Sequence, residues 1–111
     1  KPVIRCGDLN VAPERIDAGV WCWAGCSPEE RLAFKDKKNL GMIDVFRWLN
    51  PKKIEYTGCS NREKEKKKGL RLDEFLISDG LKEKIKNFEH IYNIDLVCGS
   101  DHVPILMEID I

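Results

Sequence analysis

No stretch of this chain stays apolar for anything near the roughly 20 residues that cross a bilayer, so it holds no candidate membrane-spanning helix and no membrane partner is expected. Net charge is missing too: 19 Lys and Arg balance 19 Asp and Glu. Nucleic-acid binders are usually basic, so this balance argues against a charge-driven grip spread over the whole surface. It leaves room for local sorting. Residues 62–68, Arg-Glu-Lys-Glu-Lys-Lys-Lys, carry five positive and two negative charges, which suits a solvated loop or a phosphate-contacting one. The cysteines form no even framework. Five are present, and Cys22 and Cys26 have no second pair at zinc-finger spacing. Five reduced thiols are expected, in an intracellular protein that is nuclear, organellar or cytoplasmic and not secreted. There is no internal repeat, low-complexity linker or signal-peptide pattern; the chain opens Lys1-Pro2 without Met, so a preceding targeting segment is not excluded.

With 111 residues, 42% hydrophobic and 34% charged, the chain suits one domain with a modest core. Residues 2–6 read as a buried strand running into Gly7, and an irregular loop follows over 11–26. Ser27-Pro28-Glu29-Glu30 opens a helix: Ser27 caps, Pro28 fits the first turn and Glu30 closes the capping box. That helix should reach about Asn39 and end near Gly41. Residues 42–49 suggest a brief helix or turn, stopped by Asn50-Pro51. Strands are expected over 54–60, 70–78, 91–98 and 103–111. Leu81, Ile85 and Phe88 fall at i, i+4 and i+7, which predicts an amphipathic helix over 80–90 with His90 at its end. The fold class is mixed α/β or α+β, a mixed sheet with two main helices on one face.

Two stretches carry the chemistry. Gly7-Asp8-Leu9-Asn10 ends the first strand, and Gly99-Ser100-Asp101-His102-Val103-Pro104 lies between the last two. Two carboxylates, an amide and an imidazole can hold a divalent metal, bind a phosphate and activate a water, the requirements of phosphodiester hydrolysis. Asp8 can ligate metal or accept a proton; Asn10 can donate to a phosphate oxygen. Asp73, in the middle of its expected strand, could reach across to orient His102, an Asp–His pairing of the triad kind. Duller readings stand beside these: Asp8 as a turn residue, Asn10 as a local cap, Asp73 on an exposed strand face. Trp21, Trp23 and Trp48 are better read as packing than as base-stacking platforms.

Together these stretches resemble the exonuclease III-type AP endonucleases of the endonuclease/exonuclease/phosphatase superfamily. The segments that carry the resemblance are residues 3–12, 24–31, Gly69-Leu70-Arg71-Leu72-Asp73 with Phe75-Leu76-Ile77-Ser78, and 99–104, in the family's order. The resemblance implies half of a four-layered α/β sandwich, with residues 1–111 as the C-terminal half. It also implies Mg²⁺ (or Mn²⁺) dependence and cleavage of DNA at abasic sites, with 3′-exonuclease activity in many members. By the same resemblance Asp8, Asn10, Asp73 and His102 are catalytic, Asp8, Asn10 and Asp101 hold metal, and Arg71 and His102 touch DNA. The chain departs from the family where aromatics are expected, at Gly58-Cys59 and at Leu70, and its loops near 15–23 and 61–68 are shorter. A metal-binding Glu and a catalytic Tyr of the family's first half have no counterpart here. An N-terminal half or self-association is therefore expected. Two other readings stay open: an inactive remnant serving as a DNA-binding or assembly module, and a metal-dependent phosphoesterase with another substrate.

Overall fold

The computed structural model describes residues 1–19, 22, 25–58, 69–92 and 101–111. Three strands make the first sheet: β1 (Ile4–Asp8), β2 (Met42–Asp44) and β3 (Asp73–Ser78), in the order β1-β3-β2 and antiparallel throughout. A second sheet pairs β4 (Ile85–His90) with β5 (Ile105–Ile109), also antiparallel. Helix α1 (Pro28–Asn39) precedes β2, and the five-residue α2 (Val45–Leu49) follows it directly. Val45, Ile77 and Leu81 form the buried centre, with Ile43 and Phe75 of the first sheet and Ile85, Phe88, Met107 and Ile109 of the second packed around it. The two sheets therefore face one another across one apolar layer, as alternating strands require.

Helix α1 starts and stops where its residues dictate. The Ser27 hydroxyl accepts from the Glu30 amide at 3.0 Å, and Glu30 Oε1 accepts from the amides of Ser27 (3.0 Å) and Gly25 (2.9 Å). These hydrogen bonds hold the Glu30 carboxyl below its usual range. Glu29 and Glu30 occupy the first turn and Lys37 and Lys38 the last, matching the helix dipole. Gly41, at φ +92°, turns the chain into β2.

Several expectations fail, for identifiable reasons. Residues 80–90 are not a helix: a 3-10 segment (Asp79–Lys84) leads into β4. The helix-like spacing arises from a bulge between Ile85 and Asn87, which puts positions three apart on one strand face, so Ile85 and Phe88 both reach the core. The two expected helices thus reduce to one long helix among the described residues. His90 ends a strand rather than a helix and is buried, with its Nδ1 2.8 Å from Glu55 Oε1. Burial is the larger influence on its imidazole and holds it below its usual value, against the Glu55 contact. Residues 54–58 form only isolated bridges, Gly58 to Leu70 and Gly58 to His102. β3 begins at Asp73, not at 70. Residues 42–49 divide into β2 and α2. The start of β1 is exposed, with Ile4 at 40%. The expected strand over 91–98 lies largely outside the described residues. Cys22 and Cys26, expected as free thiols, form a disulfide, their Cα atoms 6.0 Å apart; Cys6 is free and exposed. No helix among the described residues is long and apolar enough to cross a membrane.

Beneath the first sheet lies a buried ion cluster. The Arg71 guanidinium donates from Nε to Asp17 Oδ1 (2.7 Å), from Nη1 to Asp44 Oδ1 (3.0 Å) and from Nη2 to Asp44 Oδ2 (2.5 Å). Asp17 also accepts from Arg47 Nη2 at 2.5 Å, and Arg47 Nη1 caps the carbonyls of Asn50 (2.9 Å) and Lys53 (2.7 Å). Burial opposes the charge on Arg71, but Asp44 and Asp17 outweigh it and raise its pKa. Glu74 is the third carboxyl here, fully buried and 4.0 Å from Arg71. That is too far for a hydrogen bond, and neither Glu74 oxygen has a hydrogen-bond partner among the described residues. Burial first, then the charges of Asp44, Asp17 and Asp73, push its carboxyl up to about 10 against the pull of Arg71.

The sign of the pH dependence follows. Unfolded, Glu74 ionises near 4.5; folded, it keeps its proton until about 10. Stability contributed by the neutral acid is complete below the first value and falls as pH rises toward the second. Glu74→Gln, which keeps the shape and cannot ionise, should flatten the decline in melting temperature between pH 6 and 9, as thermal denaturation would record. An unchanged pH slope in the variant would show that Glu74 is not its source.

Candidate active site

The site is assembled from strand ends. Asp8 is the last residue of β1 and Asp73 the first of β3, and the register sets them directly opposite. Cross-strand partners share a face, so both carboxylates project to one side. His102 arrives from the segment before β5 and puts Nδ1 2.8 Å from Asp73 Oδ2. An ionised carboxylate only accepts, so this contact needs the proton on Nδ1. Ligand atoms of Asp8, Asp73 and His102 all lie within 4.8 Å of one another. Asp73 is buried, His102 half-buried and Asp8 exposed, a gradient running from the sheet to solvent. Burial lowers the His102 pKa, but the Asp73 hydrogen bond and the charges of Asp73, Asp8 and Asp101 outweigh it, and the imidazole titrates above its usual value.

The loop after β1 is tightly bent. Asn10 has φ +56°, a left-handed conformation that Asn tolerates, and its amide donates to Asp8 Oδ1 at 2.8 Å. Gly25 packs against it. The Ala12 amide donates to the Gly25 carbonyl at 2.8 Å, and a Cβ on Gly25 would come 2.5 Å from the Asn10 carbonyl oxygen. Gly25 also sits at φ +89°, so glycine is required there twice over. Arg31 Nε donates to the Ala12 carbonyl at 2.9 Å, which ties α1 to the same loop.

The expected residues separate into two groups. Asp8, Asp73 and His102 converge. Asn10 adjoins Asp8 through its backbone, and its exposed side chain belongs to the solvent side. Asp101 is exposed and acts on His102 through its charge, but it is not part of the three-residue cluster. Arg71, expected at the DNA, is buried with 0% exposure and holds Asp17 and Asp44 instead. It offers no surface to a nucleic acid. Two structural contributors were not singled out from sequence. Asp17 ends a short 3-10 turn (Arg15–Asp17) inside the segment expected to be an irregular loop, whose composition announces nothing. Thr57 bonds the backbone amides of Leu72 and Asp73, and its one signal was a small polar residue before a glycine in a poorly alternating segment. An open groove of about 410 Å³ along α1, lined by residues including Pro13, Arg31 and Leu32, includes none of the three clustered side chains.

The donor set bears on a metal. Two carboxylates and an imidazole within reach of one point can hold a divalent cation, and Mg²⁺ is commonly bound through one or two carboxylates with water and substrate phosphate completing its shell. Asp8 is common to this cluster and to the Asp8, Asn10 and Asp101 set expected from sequence.

No protein-family model matches the chain. It is 39% identical to an exodeoxyribonuclease of Bacillus subtilis over 118 aligned residues, covering all of this chain and 46% of that protein. It is 38% identical to a DNA-(apurinic or apyrimidinic site) endonuclease of Dictyostelium discoideum, covering 100% of this chain and 32% of that one. Among solved structures, the 3′ phosphatase NExo from Neisseria, bound to a product DNA hairpin, superimposes with a TM-score of 0.85 at 28% identity, over 98% of this chain and 45% of that one. Sequence and fold are thus similar, over almost the whole chain, to the exonuclease III and AP endonuclease group, and the chain spans less than half the length of these relatives.

Gly25→Ala tests the packing behind Asn10. The clash is with backbone at 2.5 Å and the φ is positive, so the variant should lose at least about 1 kcal/mol in chemical denaturation. A variant as stable as the parent would contradict this geometry.

Proposed function

We propose that this chain, similar in sequence and fold to the exonuclease III-type AP endonucleases, forms the C-terminal half of a DNA-repair phosphodiesterase that hydrolyses the DNA backbone at abasic sites. The observation that carries this reading is the meeting of Asp8, Asp73 and His102 at adjoining strand ends, taken with the likeness to nucleases along nearly all of the chain. Asp8, exposed at the rim, would accept a proton from the attacking water. Asn10 presents its amide to a phosphate oxygen. Asp73 fixes the His102 ring, and a raised imidazole pKa favours the charged form that stabilises negative charge developing on the phosphate. Mg²⁺, or Mn²⁺, held by Asp8 with Asp101 and Asn10 beside it, would neutralise the phosphate and the leaving oxygen.

The chain covers 46% of its Bacillus relative, and we assign the remaining length of the fold to a further polypeptide segment. β1 lies at the edge of its sheet with Val3 (42%) and Ile4 (40%) exposed, an edge suited to strand addition by that segment or by a second copy of the chain. The function places the protein inside the cell, with its DNA. A second reading, removal of phosphates from DNA 3′ ends, draws on the 3′ phosphatase that shares the fold.

The test compares the 111-residue chain with the same chain extended to its whole reading frame. Each is incubated with Mg²⁺ and a duplex carrying one abasic site. The extended protein should incise beside the lesion and the short chain should not. His102→Ala in the extended protein should slow incision at least about 100-fold. Incision indifferent to His102→Ala would overturn the reading. A 3′-phosphate duplex, processed while the abasic one is not, would move it to the second.

A further inference from the structure

We propose that Thr57 is the positioning residue that sets the Asp73–His102 hydrogen bond, an inference that rests on the catalytic reading of that pair. Thr57 is fully buried, and all three of its polar groups engage the segments that carry the two side chains. Its hydroxyl oxygen accepts from the amides of Leu72 (3.0 Å) and Asp73 (3.1 Å), fixing the point at which β3 begins. Its carbonyl accepts from the Val103 amide at 2.8 Å, the residue after His102. Its own amide donates to the Leu70 carbonyl at 3.0 Å. Gly58, next in the chain, bridges to Leu70 on one side and His102 on the other. A Cβ at Gly58 would lie 3.2 Å from Leu72 Cδ1 and 3.5 Å from His102 Cε1, so this two-residue strip packs closely between the two segments.

The chemistry explains why threonine is used. One hydroxyl takes two adjacent buried backbone donors. β-Branching restricts χ1 and so holds that oxygen in place without further contacts. Because the same residue also anchors Val103, a shift of Thr57 moves the Asp73 backbone and the His102 backbone relative to each other. The 2.8 Å contact between their side chains depends on that spacing.

The experiment is NMR on the isotope-labelled 111-residue chain, reading the His102 Nδ1–H proton and the methyl signals of Val45, Ile77 and Leu81 in the core. Three proteins are compared: the parent, Thr57→Ser and Thr57→Val. Thr57→Ser keeps the hydroxyl and should retain the hydrogen-bonded His102 signal. Thr57→Val keeps the shape without the hydroxyl, and its His102 signal should move upfield or vanish while the core methyls stay in place. A Thr57→Val protein with an unchanged His102 signal would overturn the proposal. So would one in which core and His102 signals shift together, since that is general loosening. Should Thr57→Val fail to fold, amide exchange in the parent decides: the amides of Leu72, Asp73 and Val103 should open together, and independent opening of Val103 would overturn the proposal. None of these readouts requires incision, so the positioning role and the catalytic reading can fail separately.

Discussion

The structure depends on one buried guanidinium. Arg71 is enclosed by Asp17 from the loop after β1, Asp44 from the end of β2 and the Phe46 ring of α2, 5.1 Å from its carbon. These segments are distant in sequence; backbone pairing brings β2 beside β3 and the Arg71 amide to the Asp17 carbonyl (2.8 Å), and the guanidinium ties their side chains together. Arg71 also lies two residues before Asp73, so the anchor for the sheet is the anchor for the site. The planar guanidinium makes four hydrogen bonds to the two carboxylates, paired on each of them, a number and geometry that the three donors of an ammonium cannot reproduce. Burial of such a cluster is costly unless every partner is placed, so it acts more as a device for fixing geometry than as a source of net stability.

The cluster also explains an imbalance. Two guanidinium cations, Arg47 and Arg71, meet three carboxyls, Asp17, Asp44 and Glu74. The first two carboxyls take the hydrogen bonds; Glu74, left without one among the described residues, avoids the third charge by keeping its proton. On the opposite side of β3, Asp73 has the partner Glu74 lacks, in His102. Adjacent residues on one strand thus differ in chemistry because the strand alternates its faces.

Much of this was legible in the sequence, where local rules decide. The Ser27–Glu30 box marked the start of α1 to the residue, and Gly41 its end. Gly-Asp-x-Asn and Ser-Asp-His ended or preceded strands, and the segments that resembled a nuclease family brought Asp8, Asp73 and His102 to one place. The failures have a common cause: contacts remote in sequence. The bulge in β4 imitated a helical spacing at Leu81, Ile85 and Phe88. Arg71 is expected at the DNA on the resemblance alone, and nothing near it in the sequence shows that Asp17 and Asp44 close over it. Cys22 and Cys26 form a disulfide with their Cα atoms 6.0 Å apart, a proximity that their spacing in the sequence does not announce. Thr57 lies in a segment with weak alternation, and its role becomes visible only through hydrogen bonds to residues 15 and 16 positions away.

The dependence of the whole arrangement on Arg71 is open to a direct measurement, chemical denaturation of Arg71→Lys. Lysine keeps the charge but has three donors on one nitrogen, so it cannot make the four paired hydrogen bonds that the fork gives Asp17 and Asp44. A loss of at least about 3 kcal/mol, or failure to fold, is the predicted result. A variant with the stability of the parent would contradict the account, because the segments carrying the site would then be held by something else.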